Sequence, residues 1–354
     1  MDEGVKIMMN GNKTVVTYFI ILGFPSLKNF QFLLFFVGLF IYVLTLSGHL
    51  TIISIVYIDR HLHIPMYFFL SSFSFLEIWY TSNIIPQMLE GFLTKKKSIT
   101  YTSCVAQLYF FISFGTAECF ILVIMAFDRY LAICNPLRYQ NIMNNKICHR
   151  MVACSWIGAF LINIPPLMEV CKLPFCGPNE INHFFCDVSP LLKLSCVNPD
   201  EAELCNFIVA TSVIVSSFSL ILVSYILIIV SILKIPSSTG RQKAFSTCGS
   251  HLAVVTIFYG TLMFMYVRPT SKTSQSSVKL VSVFYTVVTP LLNPIIYCLR
   301  NREVKDALRR AVLRKHGLTM KPSCFAYWKN CSIDDTVSFV LHLSIAHLQE
   351  NTHV

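Results

Sequence analysis

The sequence predicts an all-α membrane protein: a bundle of seven transmembrane helices with a short amphipathic eighth helix behind it. Three observations carry this. Of 354 residues, 55% are hydrophobic and 13% charged, against about 25% charged in an ordinary soluble domain. The apolar residues gather into seven stretches, at 30–58, 64–90, 103–127, 147–168, 203–233, 244–267 and 277–298, each near the roughly 20 residues that cross a bilayer. Finally, REVKDALRRAVLRK (302–315) sets Val304, Leu308, Ala311 and Val312 on one face of a basic helix, the pattern of a helix lying in the membrane interface.

Residues 1–29 form an N-terminal segment without the marks of a cleavable signal peptide. Its one apolar run, Val15–Phe24, has no small-residue cleavage site after it, so helix 1 is expected to serve as the insertion signal. Residues 30–300 are the membrane domain. Pro86, Pro165, Pro166, Pro290 and Pro294 fall inside its helices, as suits kinked membrane helices whose freed backbone groups find partners on neighbours. Residues 301–315 are read as a cytoplasmic amphipathic helix in contact with membrane lipid. Residues 316–354 are read as a cytoplasmic tail without an assigned role; their apolar run Val337–Leu348 is too short to span.

An extracellular N-terminus places 17 Lys/Arg in the cytoplasm and 11 outside, a modest positive-inside bias that Lys95-Lys96-Lys97 opposes. Two further signals agree with it. Asn12-Lys13-Thr14 is a glycosylation acceptor, meaningful only if exported. The loop between helices 4 and 5 carries Cys171, Cys176, Cys186 and Cys196, a density suited to an oxidising compartment. The expectation is a multi-pass protein of the plasma membrane. The net charge of +10 raises nucleic acid as a partner, but nine of the 28 basic residues lie from Arg300 onward. That is a membrane-proximal basic segment, and no nucleic acid is expected.

Two carboxylates fall deep in apolar stretches, Glu77 in helix 2 and Glu118 in helix 3. Glu118 precedes Arg129 by 11 residues, roughly 16 Å along a helix. That is near mid-bilayer, where an acid costs at least ~2.5 kcal/mol and is functional by default. Asn293 sits at a similar depth in helix 7. A sodium ion or a shared proton among Glu77, Glu118 and Asn293 would offset the desolvation; two protonated, hydrogen-bonded carboxyls are the plainer alternative. No other cofactor is expected. At the inner end of helix 3, Asp128-Arg129-Tyr130 sets an acid beside an arginine at the membrane edge. The acid keeps that charge neutralised until a partner or a helix movement releases it; a snorkelling interfacial arginine is the alternative.

Further stretches occur in order along the helices. LHIPMYFFLSSFS (62–74) enters helix 2, MAFDRYLAICNPLRY (125–139) ends helix 3 and Ser224-Tyr225 lies in helix 5. KAFSTCGSHLAVV (243–255) enters helix 6, and PLLNPIIYCLRN (290–301) ends helix 7. Over about residues 20–312 the chain resembles the rhodopsin-like G-protein-coupled receptors, and within them the odorant receptors, which the LHIPMYFF and KAFSTCGSH stretches separate from their relatives. The resemblance implies a receptor that binds a small volatile hydrophobic ligand outside. Inside, it would activate a heterotrimeric G protein of the stimulatory olfactory type and raise cAMP.

Residue by residue, the resemblance makes Arg129 the contact for the G-protein α-subunit and moves Tyr225 and Tyr297 toward it on activation. Asn293 and Tyr297, four apart, share a helical face around Pro294. Lys243 and His251 would help hold the inactive state, with a satisfied interfacial histidine as the alternative for His251. The family places an acid at the positions of both Glu77 and Glu118, Asp being more usual at the first. It pairs Cys104 with Cys186, and Cys176–Cys196 follows as a second bridge within the loop. Sequence alone leaves several pairings open, among them a zinc cluster with His183 at spacings that match no usual site. The chain departs from the family at Gly48-His49, where the family has Gly-Asn. The Asn normally hydrogen-bonds to helices 2 and 7, and a histidine there adds a titratable group beside two acids. Phe127, in place of Tyr, is a milder departure.

The expected ligand pocket lies above the acids and below Cys104. Helix 3 offers Phe111, Ile112, Gly115, Thr116 and Cys119 on one face, with Gly115 leaving space. Helix 5 offers Val209 and Val213, helix 6 Tyr259 and Met263, and helix 7 Thr286. An apolar lining with a few hydroxyls and no charge is the usual make-up of a small-molecule pocket, although each of these side chains also suits simple bundle packing. The rival class is a transporter, suggested by acids at mid-depth, but no paired halves are visible. A retinal receptor would need a lysine within helix 7, where Lys279 is only at the mouth. An amine receptor would want Asp at Phe111. No nucleophile–base, metal or phosphate-loop pattern points to an enzyme.

Overall fold

The computed structural model describes residues 9–10, 13–14, 16–94, 98–176, 179–234, 236–266 and 275–315. Asn12 and residues 316–354 lie outside them, as does the side chain of Lys243. A helix covers each apolar stretch. Helix 1 is Gln31–Ile58, helix 2 Pro65–Leu93 and helix 3 Tyr101–Cys134. Helix 4 is Asn145–Ile162 continued by Ile164–Lys172, helix 5 Asp200–Leu233 and helix 6 Ser238–Tyr266. Helix 7 runs through Gln275–Val283, a wider π turn Phe284–Val288, and Thr289–Arg300; helix 8 is Arg302–Lys315. Among the described residues, five segments are long and apolar enough to cross a membrane: Pro25–Ile58, Tyr101–Cys134, Asn145–Lys172, Asp200–Leu233 and Val278–Cys298.

Local chemistry sets the ends. The Thr100 hydroxyl accepts from the Ser103 N–H at the start of helix 3, and the Asn144 side chain accepts from Ile147 at the start of helix 4, each satisfying a donor left over at a helix N-terminus. Helix 3 runs seven residues past the expected 127 and stops at Asn135, because a residue before proline, here Pro136, is driven out of the helical region. Helix 4 breaks at Asn163, ahead of Pro165-Pro166, which lack the N–H groups to continue the ladder.

Helix 3 is the axis. It contacts helices 2, 4 and 5, and 67% of its most apolar window is buried, against 11% in helix 1. Helix 1 lies outside helices 2 and 7 and turns Phe32, Phe36 and Phe40 outward, where hydrocarbon is the solvent.

The end of the bundle that bears the disulfides, here termed the outer end, carries a small sheet that the apolar pattern did not announce. Tyr18–Ile21 pairs antiparallel with Ser98–Thr100 and parallel with Glu180–Ile181. Residues 18–30 are thus built into the fold, with Phe19 wholly buried against Tyr101 and Phe175. Both disulfides form, Cys104–Cys186 and Cys176–Cys196, with Cα separations of 5.5 and 5.3 Å; Cys171 is free and exposed. Those bridges consume Cys176, Cys186 and Cys196, and among the described residues no three His, Cys, Asp or Glu side chains stand together as metal ligands, which overturns the alternative zinc cluster.

Candidate functional site

Beneath the Cys104–Cys186 bridge lies a cavity of about 710 Å³, mouth included. Helix 3 lines it with Phe111, Ile112, Gly115, Thr116 and Cys119, and helix 5 with Asn206, Val209, Ala210, Val213 and Ile214. Phe258 and Leu262 come from helix 6, Tyr285 from helix 7, Tyr80 from helix 2 and Asn163 from the break in helix 4. A Cβ added at Gly115 meets nothing within 4 Å, so this glycine opens the space. Among the described residues, none of those lining the cavity is charged. Its polar wall is the Asn163 amide, which donates to Thr116 Oγ1 at 2.9 Å and to the Ala159 carbonyl at 2.8 Å. Val188 brings the disulfide loop to its wall, and Phe185 of the same loop packs on Phe111, ring centres 4.9 Å apart. The backbone N–H of Cys186 donates to Gln107 Oε1 at 2.9 Å, which fixes the loop to helix 3. Below, Tyr259 donates to Ser217 Oγ at 2.8 Å.

One layer deeper, Asn293 donates to Glu77 Oε1, and the Glu77 and Glu118 carboxyls hydrogen-bond each other. Ser74 Oγ, Glu77 Oε2, Glu118 Oε1 and Asn293 Oδ1 are buried without a partner. Buried polar groups are normally satisfied, and a set of orphaned oxygens is the donor chemistry of a hard cation.

The helix 7 kink beside them has its own partner. The Pro290 carbonyl would accept from the residue four further on, but that residue is Pro294, which has no N–H. His49 Nε2 donates to the carbonyl instead, at 3.1 Å. Gly48 permits the approach, since a Cβ there would stand 3.0 Å from the Pro294 ring. His49 thus takes over the bond to helix 7 that the family's Asn makes.

At the inner end, Arg129 is 9% exposed and its Nε stands 3.9 Å from Asp128 Oδ2, too far for a hydrogen bond. The nearer partner of Asp128 is Tyr139, whose hydroxyl donates to Oδ1 at 2.8 Å. Tyr225, His251 and Tyr297 lie within electrostatic reach of Arg129, and the Tyr225 hydroxyl is 2.7 Å from His251 Nδ1. Helix 8 is tied down by Arg310, whose Nη2 meets Asp59 Oδ2 at 2.7 Å, and by Tyr67, which donates to Glu303 at 2.8 Å. Burial works to raise the Asp59 carboxyl, but hydrogen bonds from His61 and Arg310 hold it at about 2.

The family model described as "Olfactory receptor" matches residues 38–315. The chain belongs to the olfactory receptor family. Olfactory receptor 6B2 of Homo sapiens is 50% identical over 305 residues, covering 86% of this chain and 98% of that protein. Olfactory receptor 6B3 of Homo sapiens is 47% identical over 342 residues, covering 97% and 98%, so similarity continues past Lys315 into the tail, for which the sequence reading had no counterpart. Olfactory receptor 6B9 of Mus musculus is 48% identical over 301 residues, covering 85% and 95%. Olfactory receptors are G-protein-coupled receptors, not enzymes, and their partners are a G protein and small ligands. With its apolar helices, this one is a multi-pass membrane protein.

Of the residues expected to line this olfactory receptor's pocket, Phe111, Ile112, Gly115, Thr116, Cys119, Val209 and Val213 do line the cavity. Tyr259, Met263 and Thr286 do not. Tyr259 is turned to Ser217, Met263 packs on the core, and Thr286 is spent on the Ser282 carbonyl at 2.7 Å. Their chain neighbours Phe258, Leu262 and Tyr285 occupy the wall, because one residue along a helix is a rotation of roughly 100°. The inner cluster gathers Asp128, Arg129, Tyr225, His251 and Tyr297, with Asn293 at the acids and Pro294 against Gly48. Tyr130 instead stacks on Phe127 at 6.3 Å. Asn163, Asn206 and Tyr139 carry no mark of their role in composition or spacing, although Tyr139 closes the same MAFDRYLAICNPLRY stretch.

Proposed function

We propose that all seven long helices cross the plasma membrane with the N-terminus outside, and that the chain is an odorant receptor for small neutral hydrophobic ligands. It couples to a stimulatory, olfactory-type G protein and raises cAMP. The observation that carries the ligand class is the uncharged inner cavity, mostly apolar with the Thr116–Asn163 pair on one wall. A neutral ligand with one or two hydrogen-bonding groups fits it, whereas a cationic amine would be buried unpaired at high cost.

Ligand contact with helices 3, 5 and 6 shifts their packing, and Tyr259, bonded to Ser217 under the cavity, transmits it inward. The Tyr225–His251 bond and the loose Asp128–Arg129 contact then separate, and Arg129 reaches the G-protein α-subunit. Glu77, Glu118 and Asn293 would hold a sodium ion, whose charge would offset the buried carboxylates; exchanging sodium for choline should then shift the ligand response, and Glu118→Gln should remove the shift.

The test of the ligand reading is a cAMP reporter screened with neutral volatiles. Gly115→Leu projects a side chain into open space, so it should eliminate the response without lowering surface expression. A normal response in Gly115→Leu, or a charged peptide or amine acting at this cavity, would overturn it. Ligand flux without cAMP would favour a transporter.

A further inference from the structure

A second cavity, about 530 Å³ with its mouth included, opens at the outer end between the N-terminal segment, helix 1, helix 2 and Phe184. Gly23 shapes it. Its φ of 61° lies in the left-handed region that glycine enters freely. Its N–H donates to the His183 carbonyl at 2.9 Å, and its own carbonyl accepts from Lys279 Nζ at 2.7 Å. This bend carries Phe24 between Phe92 and Phe184, stacked at 6.3 and 5.4 Å. Gly91 keeps the wall open, for a Cβ added there meets nothing within 4 Å.

Glu90 is the ionisable residue among those lining this cavity, and it has no ion-pair partner among the described residues. The nearby Lys279 stands behind Gly23, its ammonium on the Gly23 carbonyl and on Asn182 Oδ1 at 2.6 Å. Phe185 packs on a wall residue of each cavity, 5.0 Å from Phe184 and 4.9 Å from Phe111.

We propose that the outer cavity is a second ligand site and that it takes a small organic ammonium ion. The exposed Glu90 carboxylate at the mouth of an aromatic-walled cavity attracts a cation, and the same carboxylate repels an anion. A neutral ligand gains little from it. The two cavities therefore select opposite chemistry: the inner one has no counter-ion for an ammonium, and the outer one supplies it. Glu90 is exposed and its attraction is screened by water, so the expected Kd is weak, on the order of 1 mM.

The test titrates 2-phenylethylammonium against the full chain in lipid nanodiscs, with 2-phenylethanol as the neutral isostere. Glu90→Gln should weaken the ammonium about threefold to fivefold and leave the alcohol unchanged. Gly91→Trp should fill the cavity and abolish ammonium binding, whereas Gly115→Leu, in the other cavity, should leave it intact. Equal ammonium affinity in parent and Glu90→Gln would overturn the proposal, even if Gly91→Trp fails to fold. So would loss of binding in Gly115→Leu, or no binding to the parent.

Discussion

The outer and inner ends of this receptor are held by different chemistry. Outside, two disulfides, a three-stranded sheet and the Lys279 clasp tie the N-terminal segment, loop and helix 7 together. Inside, among the described residues, the ties are hydrogen bonds and ion pairs, and Asp128 Oδ2, Arg129 Nε, His251 Nε2 and Tyr297 Oη are buried without a hydrogen-bond partner. Covalent bonds keep one arrangement. Half-satisfied polar groups are costly wherever they stand, so a cluster of them yields readily to a second arrangement that satisfies them better. One end is built to hold a shape and the other to change it.

The largest effect should come from breaking the outer end. Cys104→Ser removes a fully buried bridge, and losing such a bond commonly costs ~2–5 kcal/mol. Surface delivery should fall nearly to background. Normal surface staining would mean that the sheet and clasp hold this end without the bridge.

Breaking the inner end should do the reverse, sparing the fold and removing the signal. Arg129→Ala takes away a side chain whose one near acid is loosely held, so surface expression should persist while agonist-stimulated cAMP disappears. Equal responses from surface-matched parent and variant would take Arg129 out of the switch.

Much of this contrast was legible in the sequence. Apolar length marked the helices because a bilayer leaves the backbone few alternatives, and the family resemblance implied Cys104–Cys186, whereas the spacings alone left several pairings open. What composition could not supply was rotation and long-range contact. Helix 3 is so central that any inward face is correct, whereas helices 6 and 7 turned by one residue, exchanging Tyr259, Met263 and Thr286 for Phe258, Leu262 and Tyr285. The strand Tyr18–Ile21 was hidden because its partners lie about 80 and 160 positions away, and sheet pairing at that distance leaves little local trace. His49 looked like a fault in the family pattern until Pro294 was seen to orphan the Pro290 carbonyl.

A smaller effect sharpens the comparison from outside. Burial, and after it the Lys279 ammonium, hold His183 down at about 3, while burial pushes the neighbouring Asp187 up to about 6. The signs oppose. Neutral His183 gives stability above its unfolded value near 6.5 and loses it as pH falls toward 3. Protonated Asp187 gives stability below its unfolded value of 3.8 and loses it as pH rises through 6. Between pH 4 and 6 the two slopes cancel, so the melting temperature of the detergent-solubilised receptor should change little on their account. Asp187→Asn should expose the histidine slope, with stability rising from pH 4 to 6, and His183→Gln the opposite slope. Parallel pH profiles for the three proteins would show that neither group senses the loop.

The smallest expected effect probes how the inner end is restrained. Asp128 has two candidate partners, and the geometry prefers Tyr139 at 2.8 Å over Arg129 at 3.9 Å. If that hydroxyl anchors the resting position of Asp128, and through it the buried Arg129, Tyr139→Phe leaves a second carboxylate oxygen unsatisfied. A hydrogen bond to a charged group is worth ~1.5–3 kcal/mol, part of which water at the membrane edge restores. The resting arrangement should lose about 1.4 kcal/mol relative to the active one, a tenfold shift in their ratio, read as raised cAMP without agonist. Should Tyr139 instead compete with Arg129 for the acid, its removal lets Asp128 close on the guanidinium, and basal cAMP falls. The sign of the change in basal cAMP therefore tells an anchor from a competitor.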